Sequence, residues 1–202
     1  VHINAGAAAL VLVIVLGKRL GWPRMPMRPH NLTMVMLGAG LLWFGWFGFN
    51  AGSAYAADGV AALAATNTLV ATCGGGLAWL LVERLRDGHA TSLGAASGIV
   101  AGLVAITPAC ANVTPLVAVL IGAVAGVLCA LAVTLKYRLG YDDSFDVVGV
   151  HLVGGLVGTL MLGFVATDVF GDGASVGLFA GGGFSLLAVQ AIAAGGVLIY
   201  SF

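Results

Sequence analysis

PLVAVLIGAVAGVLCALAVTL, residues 115–135, carries no charged side chain, and Lys136 and Arg138 follow directly. At 1.5 Å of rise per residue, a helix of this length covers the roughly 30 Å hydrocarbon core of a bilayer. A membrane strand would need period-two alternation, and none is sustained here or elsewhere, which excludes a β-barrel. The stretch therefore reads as a transmembrane helix.

Comparable apolar segments flank it on both sides, at 1–17, 32–56, 59–82, 91–111, 144–166 and 184–202. The chain is 60% hydrophobic and 8% charged, with a mean hydropathy of +1.09. Soluble domains carry roughly a quarter charged residues. So few charges cannot cover a globule in water, and the solvent for most of this chain is lipid. The expected fold class is an all-α polytopic membrane protein, with residues 1–202 forming one transmembrane domain.

The formal net charge is zero, with eight residues of each sign, so no basic field argues for nucleic acid. Cys73, Cys110 and Cys129 sit in apolar runs without CxxC spacing and read as packing residues. The chain opens at Val1 inside one apolar segment, without a signal peptide or initiator Met, and stops at Phe202 inside another. A piece of a longer protein is expected.

The charges alternate from loop to loop. Lys18, Arg19, Arg24 and Arg28 follow the first segment, Arg84 and Arg86 the third, and Lys136 and Arg138 the fifth. The intervening connections hold only Asp58, no charge at all, and Asp168 with Asp172. The positive-inside rule places the basic loops in the cytoplasm. The segment at 1–17 then runs inward and the segment at 144–166 runs outward. Among the 32 glycines, the pairs Gly98/Gly102, Gly122/Gly126 and Gly154/Gly158 have the spacing that lets helix backbones approach in lipid.

Val1-His2-Ile3-Asn4-Ala5-Gly6 and Val150-His151-Leu152-Val153-Gly154-Gly155 share Val-His and a glycine four residues after the histidine. The two copies lie on oppositely directed segments, as an inverted repeat of five helices would leave them. His2 and His151 are ionisable groups inside spans, which marks them as functional candidates. Brought together, two imidazoles share a proton, one nitrogen donating and the other accepting, and form a relay. A second reading is that each satisfies a neighbouring backbone or Asn group. A third is paired ligation of haem iron. With helical rise throughout, His2 lies ~24 Å from Lys18 and His151 ~12 Å from Asp143. Helix tilt and protruding ends must absorb the ~12 Å difference in level.

Residues 40–54, GLLWFGWFGFNAGSA, place Trp46, Phe49 and Ser53 on one face by i, i+3, i+4 spacing. An aromatic followed by a hydroxyl at the outer end suits a gate and a cation site, because ring faces attract cations. Packing and an interfacial belt is the plainer reading. Asn50 and Asn67 are expected to bond backbone carbonyls. Asp146 precedes His151 and reads as a structural acid at a helix N-terminus. His30 and His89 lie in cytoplasmic loops, and Glu83 with Arg84 closes the third segment at the interface.

VHINAG (1–6), PHNL (29–32), GWFGFNAGSA (45–54), LGAASGIVAGLVAITPAC (93–110) and YDDSFDVVGVHLVGG (141–155) resemble the ammonium transporters, the Amt/Rh family. The resemblance runs from residue 1 to about 166, and 184–202 is similar to the start of that family's long final helix. It implies an inverted repeat of five helices, here the last helix of repeat one, all of repeat two and the start of the final helix. It also implies a homotrimer in the inner cell membrane with a pore in each subunit. By that resemblance His2 and His151 are the twin pore histidines and Phe49 is a gate phenyl. Ser53 belongs to the outer cation site, and Trp46 lines the pore.

The implied function is ammonium transport, with no cofactor, no metal, no catalysis and a possible cytoplasmic nitrogen-regulatory partner. The first-half acid, second gate phenyl and outer-site tryptophan of the family have no counterparts in this chain. Thr33 stands where the family usually has proline. A neutral-gas or small-amine channel on the same fold, and a haem-binding electron-transfer subunit, are the alternatives.

Overall fold

The structure, a computed structural model, describes residues 1–25 and 27–202. Eight α-helices account for most of them: α1 His2–Leu16, α2 Leu32–Asn50, α3 Gly59–Asp87, α4 Ser92–Ile106, α5 Pro115–Ala132, the short α6 Leu135–Leu139, α7 Val153–Val165 and α8 Ser185–Ser201. A π-helical turn, Val148–Leu152, leads into α7. Counting such continuations, five helical stretches among the described residues are long and apolar enough to cross a membrane; α1 and α8 are shorter apolar helices.

Local chemistry sets most boundaries. Asn31 Oδ1 accepts from the Met34 amide at 3.0 Å and Asp58 Oδ1 from Ala61 at 3.0 Å, satisfying amides that the first helical turn leaves open. Thr91 caps α4 through the Gly94 amide at 2.9 Å, and Pro115 opens α5 where no amide is needed. The Asn31 cap explains why Thr33 in place of proline leaves the start of α2 intact. Helix α3 outruns its apolar stretch, because Glu83, Arg84 and Arg86 continue the helix until Gly88, at φ 82°, ends it.

The centre is a three-helix crossing of α3, α4 and α5 built on absent side chains. A Cβ on Gly75 would lie 2.7 Å from the Gly98 carbonyl oxygen and 2.8 Å from Gly102 Cα. One on Gly102 would lie 2.6 Å from the Ala71 oxygen, and one on Gly122 or Gly126 would collide with the Ala71 or Gly75 carbonyl. The expected small-residue faces thus meet along one strip of α3, Ala71 to Gly76. Around it Leu103, Val104, Ile106, Val113 and Ile121 are fully buried. Gly158 of α7 packs against the Ala105 carbonyl and brings α7 onto α4.

The loops sort by charge as expected. On one face Arg19 meets Asp142, with Nε 3.3 Å from the carboxylate, and Arg86 Nη1 donates to the Ala130 carbonyl at 2.9 Å, so all three basic loops gather there. On the opposite face the Thr167 amide donates to the Asn112 carbonyl at 2.8 Å and Phe170 lies over Gly59. Cys110 and Cys129 are buried and Cys73 is exposed, all three as free thiols.

Candidate functional site: a histidine pair under an aromatic cover

Helices α1 and α7 cross where the two Val-His motifs meet, and the crossing is reciprocal. A Cβ on Gly6 would strike the backbone of Leu152, the residue after His151. A Cβ on Gly155 would lie 2.9 Å from the amide nitrogen of Ile3, the residue after His2. Each motif's glycine therefore receives the other motif's backbone, as two-fold symmetry between oppositely directed copies requires. The shared spacing is a packing device that brings the two histidines to one level.

The imidazole centroids are 5.7 Å apart, with ring planes 18° from parallel. The rings meet although helical rise alone puts them at different levels, and Tyr141–Asp146, part of the count, is not helical. Among the described residues no hydrogen bond joins the two rings, and the buried His151 Nδ1 has no partner. Proximity is as expected; a direct shared proton is not what the geometry holds. A bridging molecule or a small ring rotation is needed to carry a proton between them.

Helix α2 covers His2 with two of the three residues expected on one face. The Trp46 ring lies 5.3 Å from His2, 13° from parallel, and Phe49 meets His2 edge-on at 6.1 Å. Trp46 and Phe49 touch each other at 5.5 Å. Trp46 Nε1 donates to Thr107 Oγ1 at 3.0 Å, and that hydroxyl donates in turn to the Leu103 carbonyl at 2.8 Å, which fixes the indole. Ser53 lies beyond the end of α2, on the 3-10 turn Gly52–Ala54, exposed. Its hydroxyl donates to the Phe49 carbonyl at 2.6 Å. Beside His2 a cavity of about 240 Å³ is lined by Val104, Thr107, Thr159 and Gly155.

One polar residue bonds as anticipated, and two do something different. Asn67 Nδ2 donates to the Cys110 and Val113 carbonyls at 2.8 and 2.7 Å, pinning the α4–α5 turn. Asn50 instead donates to Thr68 Oγ1 at 2.9 Å. Asp146 remains a structural acid, but for a different reason than helix capping. Its carboxylate pairs with Lys136, while Asp143 takes the amides of Val147 and Val148 at 3.0 and 2.7 Å. A left-handed backbone at Asp146, φ 57°, sets this exchange of roles. Thr107 and Lys136 escaped the sequence reading. The hydroxyl beside Pro108 was the available signal for the first, and for the second a basic residue ten positions before an acid.

A family model, the Ammonium Transporter Family, matches residues 1–202. The chain belongs to the ammonium transporter family. An ammonium transporter of Mycobacterium bovis is 64% identical over 206 residues, covering 100% of this chain and 43% of the relative. Among solved structures, Mep2 of Candida albicans shares the fold at a TM-score of 0.92 and 37% identity, over 100% of this chain and 46% of that one. One named Sensor Amt Protein matches at 0.88 and 31%, over 100% of this chain and 50% of that one. The chain spans about half the length of the curated relatives it matches. The all-α, multi-pass membrane fold expected from charge and hydropathy is that of this ammonium transporter family.

Proposed function

We propose that the protein carrying this chain moves ammonium across the cell membrane, past Phe49 and Trp46 and along the pair His2–His151. The observation that carries the reading is the meeting of two histidines from oppositely directed helices beneath an aromatic cover. A bare ammonium ion in an apolar pore loses its hydration at a cost of several kcal/mol or more. Splitting it into ammonia and a proton avoids that cost, provided a neutral acceptor waits at the narrow point. His151 Nδ1, buried and unpartnered, offers such an acceptor. The cavity beside His2 is lined by apolar residues, two threonines and no carboxylate, so no negative side chain there would hold a cation.

Ser53, which is exposed, fits recruitment of the cation at the outer mouth. The proposal includes a homotrimer and a nitrogen-regulatory partner on the basic face. The family membership supports the first, and the sensor relative supports the second.

The full-length protein in proteoliposomes is expected to carry an ammonium-driven current that empty vesicles lack. Absence of flux, or a Soret band in the purified protein, would overturn the reading in favour of another activity or of haem ligation. A second expectation concerns Ser53→Ala, which removes one hydrogen bond to a charged ligand. The half-saturating ammonium concentration should rise by roughly tenfold and at most about a hundredfold, the equivalent of ~1.5–3 kcal/mol, with assembly unchanged. Uptake at limiting ammonium that matches wild type would remove Ser53 from the site.

A further inference from the structure

Lys136, near the C-terminal end of the α5–α6 stretch, is a charged residue only 9% exposed. Its amine donates to the Asp143 carbonyl at 2.9 Å and to the Asp146 carboxylate at 2.5 Å. Asp143, 3% exposed, in turn holds the first two amides of the following helix. That helix does not begin as a regular α-helix. Val148–Leu152 is a π-helical turn, closed by the Val153 amide bonding back to the Val148 carbonyl, and His151 lies within it. A π turn spreads an extra residue over the turn and changes the bearing of the side chains inside it relative to an α-helix. The chain enters this turn through Asp146 in the left-handed region, a conformation that Asp and Asn adopt more readily than other side chains.

We propose that Lys136 is a positioning residue for His151: by tying residues 143 and 146 to α6 it holds the π-helical turn and so aims His151 at His2. The proposal rests on the reading of that pair as the centre of the pore. Lys136 touches neither imidazole and acts through the backbone. The tie also explains why Asp143 and not Asp146 caps the helix. With Asp146 engaged by Lys136, the neighbouring carboxylate three residues earlier is the one left to meet the amides.

The test uses the full-length protein with His2→Cys and His151→Cys in a background whose native cysteines are replaced, and a short bifunctional thiol reagent as the probe. This reads the relation of positions 2 and 151 whatever the pore conducts, so it stands apart from the transport reading. Crosslinking per assembled protein should slow by at least about tenfold in Lys136→Met, because displacements near 1 Å have effects of that size on reactions that depend on alignment. Asp146→Asn, which keeps the left-handed turn while removing the charge, should slow it as well, to a smaller extent. In the histidine-bearing protein both changes should lower maximal current while the half-saturating ammonium concentration stays within about twofold, since the outer mouth is untouched. Crosslinking at the unmodified rate in assembled Lys136→Met overturns the proposal. Should that variant fail to assemble, Asp146→Asn decides alone: slowed crosslinking supports the tie, and an unchanged rate refutes it.

Discussion

His2→Ala, His151→Ala and the double variant should each lose ammonium-driven current to the same extent, by at least about tenfold per assembled protein. The centroids lie 5.7 Å apart. If the two rings hand one proton along, removing either disables the same step, and the second change has nothing left to remove. The magnitude follows from what an unassisted cation meets. Without an acceptor the ion crosses an apolar stretch intact, and each 1.4 kcal/mol of added barrier is a factor of ten in rate. Purely structural histidines give another pattern. His2 packs against Trp46, Phe49 and His151, so its loss would then lower yield and stability while current per assembled protein survived. Current per unit of protein eluting as the native assembly separates these outcomes. Near-normal conduction in either well-assembled alanine variant would falsify the relay.

The second large effect belongs to adjacent glycines whose substitutions should act in opposite directions. Gly75→Ala places a methyl group 2.7 Å from the Gly98 carbonyl oxygen and 2.8 Å from Gly102 Cα, where only backbone can give way. Overpacking of that kind costs about 1–3 kcal/mol, and here it also forces α3 away from α4. Gly76→Ala meets Ile99 Cγ1 at 3.7 Å, an ordinary contact. Alanine is also the better helix former by about 1 kcal/mol, so this neighbour should be neutral or mildly stabilising. Detergent unfolding midpoints of the two full-length variants check the pair. Equal midpoints would show that the three-helix crossing tolerates separation, and the close approach of α3, α4 and α5 would lose its role as the centre of the fold.

The amino-acid sequence alone determined the lipid solvent, the helical class, the sidedness of the loops and the pairing of the two motifs. Each of these is a one-dimensional signal. Charge density is a property of composition, a span is a run of known length, and basic residues mark alternate loops whatever the helices do between them. The two Val-His motifs could be matched because a repeated pattern on opposed segments implies a symmetry axis without any coordinates. Trp46 and Phe49 were legible for a similar reason: helical spacing puts them on one face, and both reach His2.

Tertiary structure alone decided how the pair is seated. Tyr141–Asp146 is turned and irregular where helical rise was counted, and no local pattern announces that. The exchange of roles between Asp143 and Asp146 depends on Lys136 arriving from a different helix, at 2.5 Å. The π-helical bearing of His151 follows from the same contact. Spacing along a chain brings two rings into one neighbourhood; only the packing of Gly6 on Leu152 and Gly155 on Ile3 determines the distance and angle at which they meet.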